Sequence, residues 1–253
     1  MKRLFTTLLV GAFLLCGVGC NKEVADDMKT YILSDSIFDM QIEIKGATVE
    51  LRKGEEFYVE SNLKNLTVDD EDGCLTVIEN GEGDTSGKGK VYIYTPDITF
   101  ASVHAVTGAG NVRVAYLSAQ NLFWTLGAGE IKINELYVED NAEIIGGLGK
   151  LTVLDGVVNN LDMSLGVCEC NFTAELTGNN TISCGVGNLQ LNLAGLFEDY
   201  CVELQAGLGG ATVDGKKVQD GTVVGSGDNF VDISGGVGGV AVCFIGDNET
   251  IGE

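Results

Sequence analysis

Gly127-Ala128-Gly129-Glu130-Ile131-Lys132-Ile133 is one of seven versions of a single pattern, a Gly-x-Gly followed by an alternating apolar pair. The others start at Gly108, Gly147, Gly166, Gly185, Gly207 and Gly236, and Cys168 stands where the fourth version would have its second glycine. First glycines are 19, 20, 19, 19, 22 and 29 residues apart. A period near 20 residues fits one coil of a solenoid, in which each repeat buries its apolar face against its neighbours.

Aligned on the first glycine, the repeats form columns. Five residues before it stand Val103, Leu122, Ala142, Leu161, Asn180, Val202 and Val231, and three before it Ala105, Trp124, Ile144, Met163, Ile182, Leu204 and Ile233. Between these lies a mostly polar column of His104, Phe123, Glu143, Asp162, Thr181, Glu203 and Asp232. Alternation with period two is the mark of a strand with one face buried, so each repeat reads as strand, glycine corner, strand. A helix would need apolar spacings of three and four and would lose roughly 1 kcal/mol at each interior glycine.

The expected fold class is therefore all-β, a single-stranded parallel β-helix or β-solenoid with coils of about 19–22 residues and a β cap at its N-terminal end. Residues 37–100 read as that cap and a first partial coil, because short alternations such as Met40-Gln41-Ile42-Glu43-Ile44 occur up to Val77 without the Gly-x-Gly period, and Gly87-Lys88-Gly89 before Val91 and Ile93 is a partial repeat. Residues 101–246 read as the repeats and 247–253 as a tail.

Residues 1–19 read as a signal peptide: Lys2 and Arg3, an apolar run from Leu4 to Leu15, then small residues ahead of Cys20. The run is too short for a comfortable membrane span. A cysteine directly after small residues resembles a bacterial lipobox, with Gly17 where leucine is usual, so Cys20 is the expected lipidation site, with ordinary secretion the alternative, and residues 20–36 a polar tether. Without the leader the chain carries 13 basic against 37 acidic residues, a net of −24. So acidic a chain lacks the basic surface that nucleic-acid binding needs, and stands off from an anionic membrane.

Chemistry is sparse. Cys74, Cys168, Cys170, Cys184, Cys201 and Cys243 lack the spacing of a zinc ribbon, and Cys170 and Cys184 fall in inward positions, so mostly free core thiols are expected. A Cys168–Cys184 bridge between neighbouring coils is the alternative. The glycines are followed by strands rather than a helix, which excludes a dinucleotide loop, and leucine or valine stands where a calcium-binding nonapeptide repeat needs aspartate. His104, the single histidine, lies in an outward column, and Trp124 in an inward one. Glu143, Asp162, Glu203 and Asp232 share the outward column and are the candidate ligand-binding residues, weakened by Phe123 and Thr181 among them. No pattern calls for a cofactor, a metal or a catalytic group, so no enzyme is expected.

With these columns laid out, the chain resembles the bacterial DUF4097 family of "putative adhesin" proteins with β-strand repeats, related to the GIN head-domain group. The resemblance rests on Asp39-Met40-Gln41-Ile42-Glu43-Ile44, the repeated Gly-Ala-Gly and Gly-Val-Gly corners, and the closing stretch from Gly225 to Gly238. It implies a β-solenoid on the cell envelope with no catalytic motif. The expected function is a non-enzymatic cell-surface lipoprotein, anchored through its N-terminal lipid, with an extracellular glycan or protein ligand. A carbohydrate-active β-helix enzyme and an envelope-stress or scaffold protein inside the cell wall are the alternatives.

Overall fold

The computed structural model describes residues 24–84 and 86–246. The expected leader, Cys20 and the tail from residue 247 lie outside the described residues. Within them the chain forms one 19-stranded sheet with two short 3-10 turns and no α-helix.

The repeats pair in parallel at the register that the columns require. Leu122 faces Val103 and Ala128 faces Ala109. Ala142 faces Leu161, Leu148 faces Val167, and Val153 faces Phe172. Met163 then faces Ile182, and Cys170 faces Leu189. Each repeat thus contributes one rung: a strand, a corner at the glycines, a second strand and, past a register shift between Val153 and Val157, a third short stretch in which Val158 faces Leu176. One-residue slippage would turn every inward side chain outward, so the apolar alternation fixes this register.

Both ends of the stack depart from chain order. Asp39–Ile44 and Thr48–Lys53 form a rung that lies inside the stack, pairing in parallel with Thr99–Ala109 and Val112–Val114 on one side. On its other side it pairs in parallel with a later rung, Cys74–Glu79 and Lys90–Thr95. Antiparallel strands Leu66–Asp69 and Tyr58–Leu63 then border that outer rung. Residues 37–100, expected as a cap with one partial coil, therefore hold two parallel rungs, and only the antiparallel strands cover the end. Their period is hidden because the chain leaves the stack between the two rungs and because Asn80 to Gly89 replaces a tight corner. There the buried Glu79 carboxylate accepts the amides of Lys45, Gly46 and Asp84, at 2.7, 3.0 and 2.6 Å. Val24–Ile32, inside the expected tether, is a strand antiparallel to Tyr58–Leu63.

The far end mirrors this. Asn229–Val237 and Val240–Ile245, last in sequence, insert beside Asn179–Val186 and Leu189–Ala194. The Gly207 repeat, Tyr200–Gln205 and Ala211–Val213, lies outermost against them. Its free edge is covered by antiparallel Thr222–Gly225 and Lys216–Val218. The polar insertion before the last repeat is thus the chain's way back under its own outer rung. Edge strands of three and four residues leave little template for pairing with other chains.

Inside, the inward columns form one continuous core from Met40 to Val242, and Leu122, Met163, Leu165, Phe172 and Ile233 are all buried. Trp124 is buried as expected and donates its indole N–H to Thr107 Oγ1 at 3.3 Å. Asn180, the polar member of an inward column, is buried but satisfied. Its Oδ1 accepts the Leu161 amide at 2.9 Å and its Nδ2 donates to the carbonyls of Thr177 and Phe230.

The register makes a direct prediction. Leu165→Asp places a charge in the core and costs about 3 kcal/mol or more, whereas Ser164→Asp, on the exposed side of the same strand, stays within about 0.5 kcal/mol. Urea titration of the two variants measures the difference; equal midpoints would contradict the register.

Candidate functional site

Three sets of side chains reach solvent in register along the stack. The first is the acidic column. In space its order is Glu143, Asp162, Thr181, Asp232, Glu203, because the last two repeats exchange places. The structure thus brings the four sequence-predicted carboxylates onto one face, with Glu143 beside Asp162 and Asp232 beside Glu203. His104 also lies on this column, exposed, its ring near that of Phe123 at 6.0 Å between centroids. Among the described residues no group of three or more His, Cys, Asp or Glu is arranged to hold a metal ion. Asp232 Oδ1 is shielded from solvent and has no hydrogen-bond partner among them.

The second set is the middle residue of each Gly-x-Gly. Leu148, Val167, Val186 and Val237 register one on the next and are exposed, with Ala109 and Ala128 continuing the line and Leu208 at its far end. The corner turns these side chains out of the core while their flanking glycines press against the neighbouring backbone. An aliphatic ridge on a −22 chain results. The Gly-x-Gly pattern leaves these positions unassigned, although the shift from alanine to leucine and valine along the repeats marks them.

The third set lies on the third stretch of the rungs, and the glycine-centred columns stopped short of it. Tyr116 and Tyr137 sit half-buried with ring centroids 5.7 Å apart and planes tilted by 42°. Lys53 Nζ stands 4.4 Å from the Tyr116 ring centroid and 3.6 Å from Glu135 Oε2. A groove of about 630 Å³ opens over them, with Asp97, Ser118, Glu139, Val157 and Asn159 also on its walls. Burial raises the pKa of both phenols, with neighbouring carboxylates adding to the rise: Asp97 at Tyr116, against an opposing bond from Ser118, and Asp155 and Glu135 at Tyr137. Both hydroxyls are therefore protonated donors at neutral pH. The signal was present in the sequence: nine residues past the first glycine, Leu117 and Leu136 form a further inward column, and the tyrosines flank it.

All six cysteines among the described residues are free. Cys168, Cys170 and Cys184 are buried together, and burial pushes each thiol above its ordinary value, most strongly at Cys170, where Cys168 and Cys184 add to the effect. The thiolate is the reactive form, so these groups are poor nucleophiles in the fold.

No protein-family model matches the sequence, and no curated relative does either. Several solved structures align with the chain at low identity and low TM-score. A "putative adhesin" from Bacteroides fragilis is 13% identical with a TM-score of 0.40, covering 89% of this chain and 100% of that one. A "putative cell adhesion protein" from Clostridium sporogenes is 12% identical with a TM-score of 0.33, covering 87% and 99%. A "putative lipid binding protein" from Parabacteroides distasonis is 13% identical with a TM-score of 0.36, covering 88% and 98%.

The thiol environment predicts that iodoacetamide at pH 8 leaves Cys170 unmodified in the folded protein and alkylates it in denaturant, read by peptide mass spectrometry. Because folding raises these pKa values, their contribution to stability is complete below the unfolded thiol value of about 8.5 and declines as pH rises above it. Melting curves from pH 7 to 11 should show the loss on the alkaline side.

Proposed function

We propose that this chain is a β-solenoid carried on the outer face of a bacterial envelope, acting as a non-enzymatic interaction module. In-register parallel pairing of nine rungs supports the solenoid, which at about 4.8 Å per rung is about 40 Å tall. The family resemblance to DUF4097 and the leader-like residues ahead of Cys20 support export and lipid anchoring.

The observation that carries the interaction reading is the set of aromatic and aliphatic side chains held on solvent-facing columns. Contiguous exposed apolar groups on a stable scaffold mark surfaces that meet a partner. Leu148, Val167, Val186 and Val237 gain nothing from the fold by facing water, and the Tyr116 and Tyr137 rings line an open groove. The partner is an extracellular glycan or protein.

Two measurements test the reading. Cys20→Ala should move the chain from the membrane fraction to the soluble one when expressed in a bacterial host, and should abolish incorporation of labelled palmitate. The purified protein should bind immobilised mucin, matrix protein or cell-wall polysaccharide, and block attachment of cells that display it. Absence of binding to every surface would refute the module. Polysaccharide cleavage abolished by Asp162→Asn or Glu203→Gln would replace it with an enzyme.

A further inference from the structure

We propose that the groove over Tyr116 and Tyr137 is a binding site for a neutral, unbranched oligosaccharide. The proposal rests on the interaction reading above and names a ligand class and a site for it.

The two rings belong to successive rungs, and their centroids are 5.7 Å apart with planes tilted by 42°. That separation is close to the length of one pyranose ring, so adjacent sugars of a linear chain could each lay a C–H face on one tyrosine. Aromatic side chains combine a large apolar face with a polar tip, and this is the surface a sugar offers in reverse: C–H groups on its faces, hydroxyls on its rim. The groove's volume of about 630 Å³ lies within the range of small-ligand sites, roughly 300–1,000 Å³.

The walls supply partners for the rim. The Asp97 and Glu139 carboxylates accept hydrogen bonds from sugar hydroxyls, charge-assisted and thus stronger than neutral ones, and Asn159, whose Nδ2 donates to the Glu139 carbonyl at 2.9 Å, keeps its Oδ1 as a further acceptor; the buried Ser118 hydroxyl is paired with Thr99 Oγ1 at 2.9 Å. Lys53 holds the arrangement in place. Its ammonium lies 4.4 Å from the Tyr116 ring centroid and 3.6 Å from Glu135, tying the first aromatic ring to the rung that carries the second.

Charge selects the class. Lys53 is the single cation on the groove's wall, against Asp97, Glu135 and Glu139, and the whole chain carries −22. Sulfated, sialylated or phosphorylated chains meet repulsion there, while a neutral glycan meets acceptors.

The test titrates the purified protein with tri-N-acetylchitotriose, cellotriose and maltotriose as neutral probes and with sialyllactose as an anionic one, by calorimetry or by NMR of the tyrosine ring protons. At least one neutral trisaccharide should bind, and sialyllactose should bind at least about tenfold more weakly. Tyr137→Ala and Tyr116→Ala should each weaken that binding about tenfold or more, while Tyr137→Phe keeps the ring face and most of the affinity. Both tyrosines are half-buried, so melting temperatures accompany the titrations, and shifts of the Tyr116 and Tyr137 ring protons in the unmutated protein locate the site even if a variant unfolds. Failure of every neutral probe to bind, preference for sialyllactose, or neutral binding without ring-proton shifts at Tyr116 and Tyr137 would each overturn the proposal. If the double alanine variant still binds mucin or matrix protein as the unmutated protein does, the groove proposal falls and the interaction module stands; if the unmutated protein binds no surface at all, the module itself falls.

Discussion

Everything in this fold depends on how closely one backbone can lie on the next at the glycine corners. A Cβ on Gly149 would stand 2.0 Å from the carbonyl oxygen of Gly129, and one on Gly129 would stand 2.1 Å from that of Gly110. Both glycines also have φ near +145°, a conformation other residues rarely adopt. The corner is therefore closed to side chains for two reasons at once. Cys168 interrupts the line, yet Gly187 next to it still approaches the Cys168 carbonyl at 1.9 Å measured from an added Cβ. One non-glycine can be carried because the rungs on either side keep theirs.

With the corners fixed, the inward columns need only be apolar and of suitable size, which is why Cys170, Phe172, Met163 and Trp124 occupy equivalent depths without disturbing the register. The ends are harder, because a stack of parallel strands leaves unpaired edges. Both ends meet this in the same way: the rung earliest or latest in sequence is placed one step inside the stack, and the connecting chain supplies antiparallel strands over the outermost rung. Where the tight corner is missing, the buried carboxylates of Glu79 and Asp84 take up the backbone amides instead. Burial disfavours the Asp84 charge, but the hydrogen bonds from Ser86 and Gly89 outweigh it and hold that carboxyl below its usual range.

Strand type, inward faces and register were legible because alternation and glycine spacing are local signals repeated seven times. The buried state of Trp124 and the exposure of His104 follow from the columns alone. What escaped was non-local. Nothing in the Gly207 and Gly236 repeats themselves says which lies outermost; the answer comes from the strands between them folding back. Of the two rungs within residues 37–100, one is signalled by Gly87-Lys88-Gly89 ahead of Val91 and Ile93 and was expected as a partial coil, while the other turns at Lys45-Gly46-Ala47, which carries no Gly-x-Gly. The members of the acidic column pair in a spatial order, Glu143, Asp162, Thr181, Asp232, Glu203, that differs from their order in sequence.

The tyrosine groove shows why a site on such a scaffold is easy to overlook. Between the Gly147 and Gly166 rungs the register shifts past Val153, and on the rungs before them Leu117 and Leu136 keep the column while Tyr116 precedes the one and Tyr137 follows the other, so the third stretch is where repeats diverge. Divergence is tolerated there because the stretch carries few of the close backbone contacts that constrain the corner. Gly156, whose added Cβ would meet the Leu136 carbonyl at 1.8 Å, is the exception that keeps it in the stack. Side chains on the outward side of that stretch are free of the packing demands on both the core and the corner. Tyr116, Tyr137 and Lys53 can therefore be arranged with respect to one another without cost to the fold, and a period-based reading, which detects what repeats, passes over residues whose significance is that they do not.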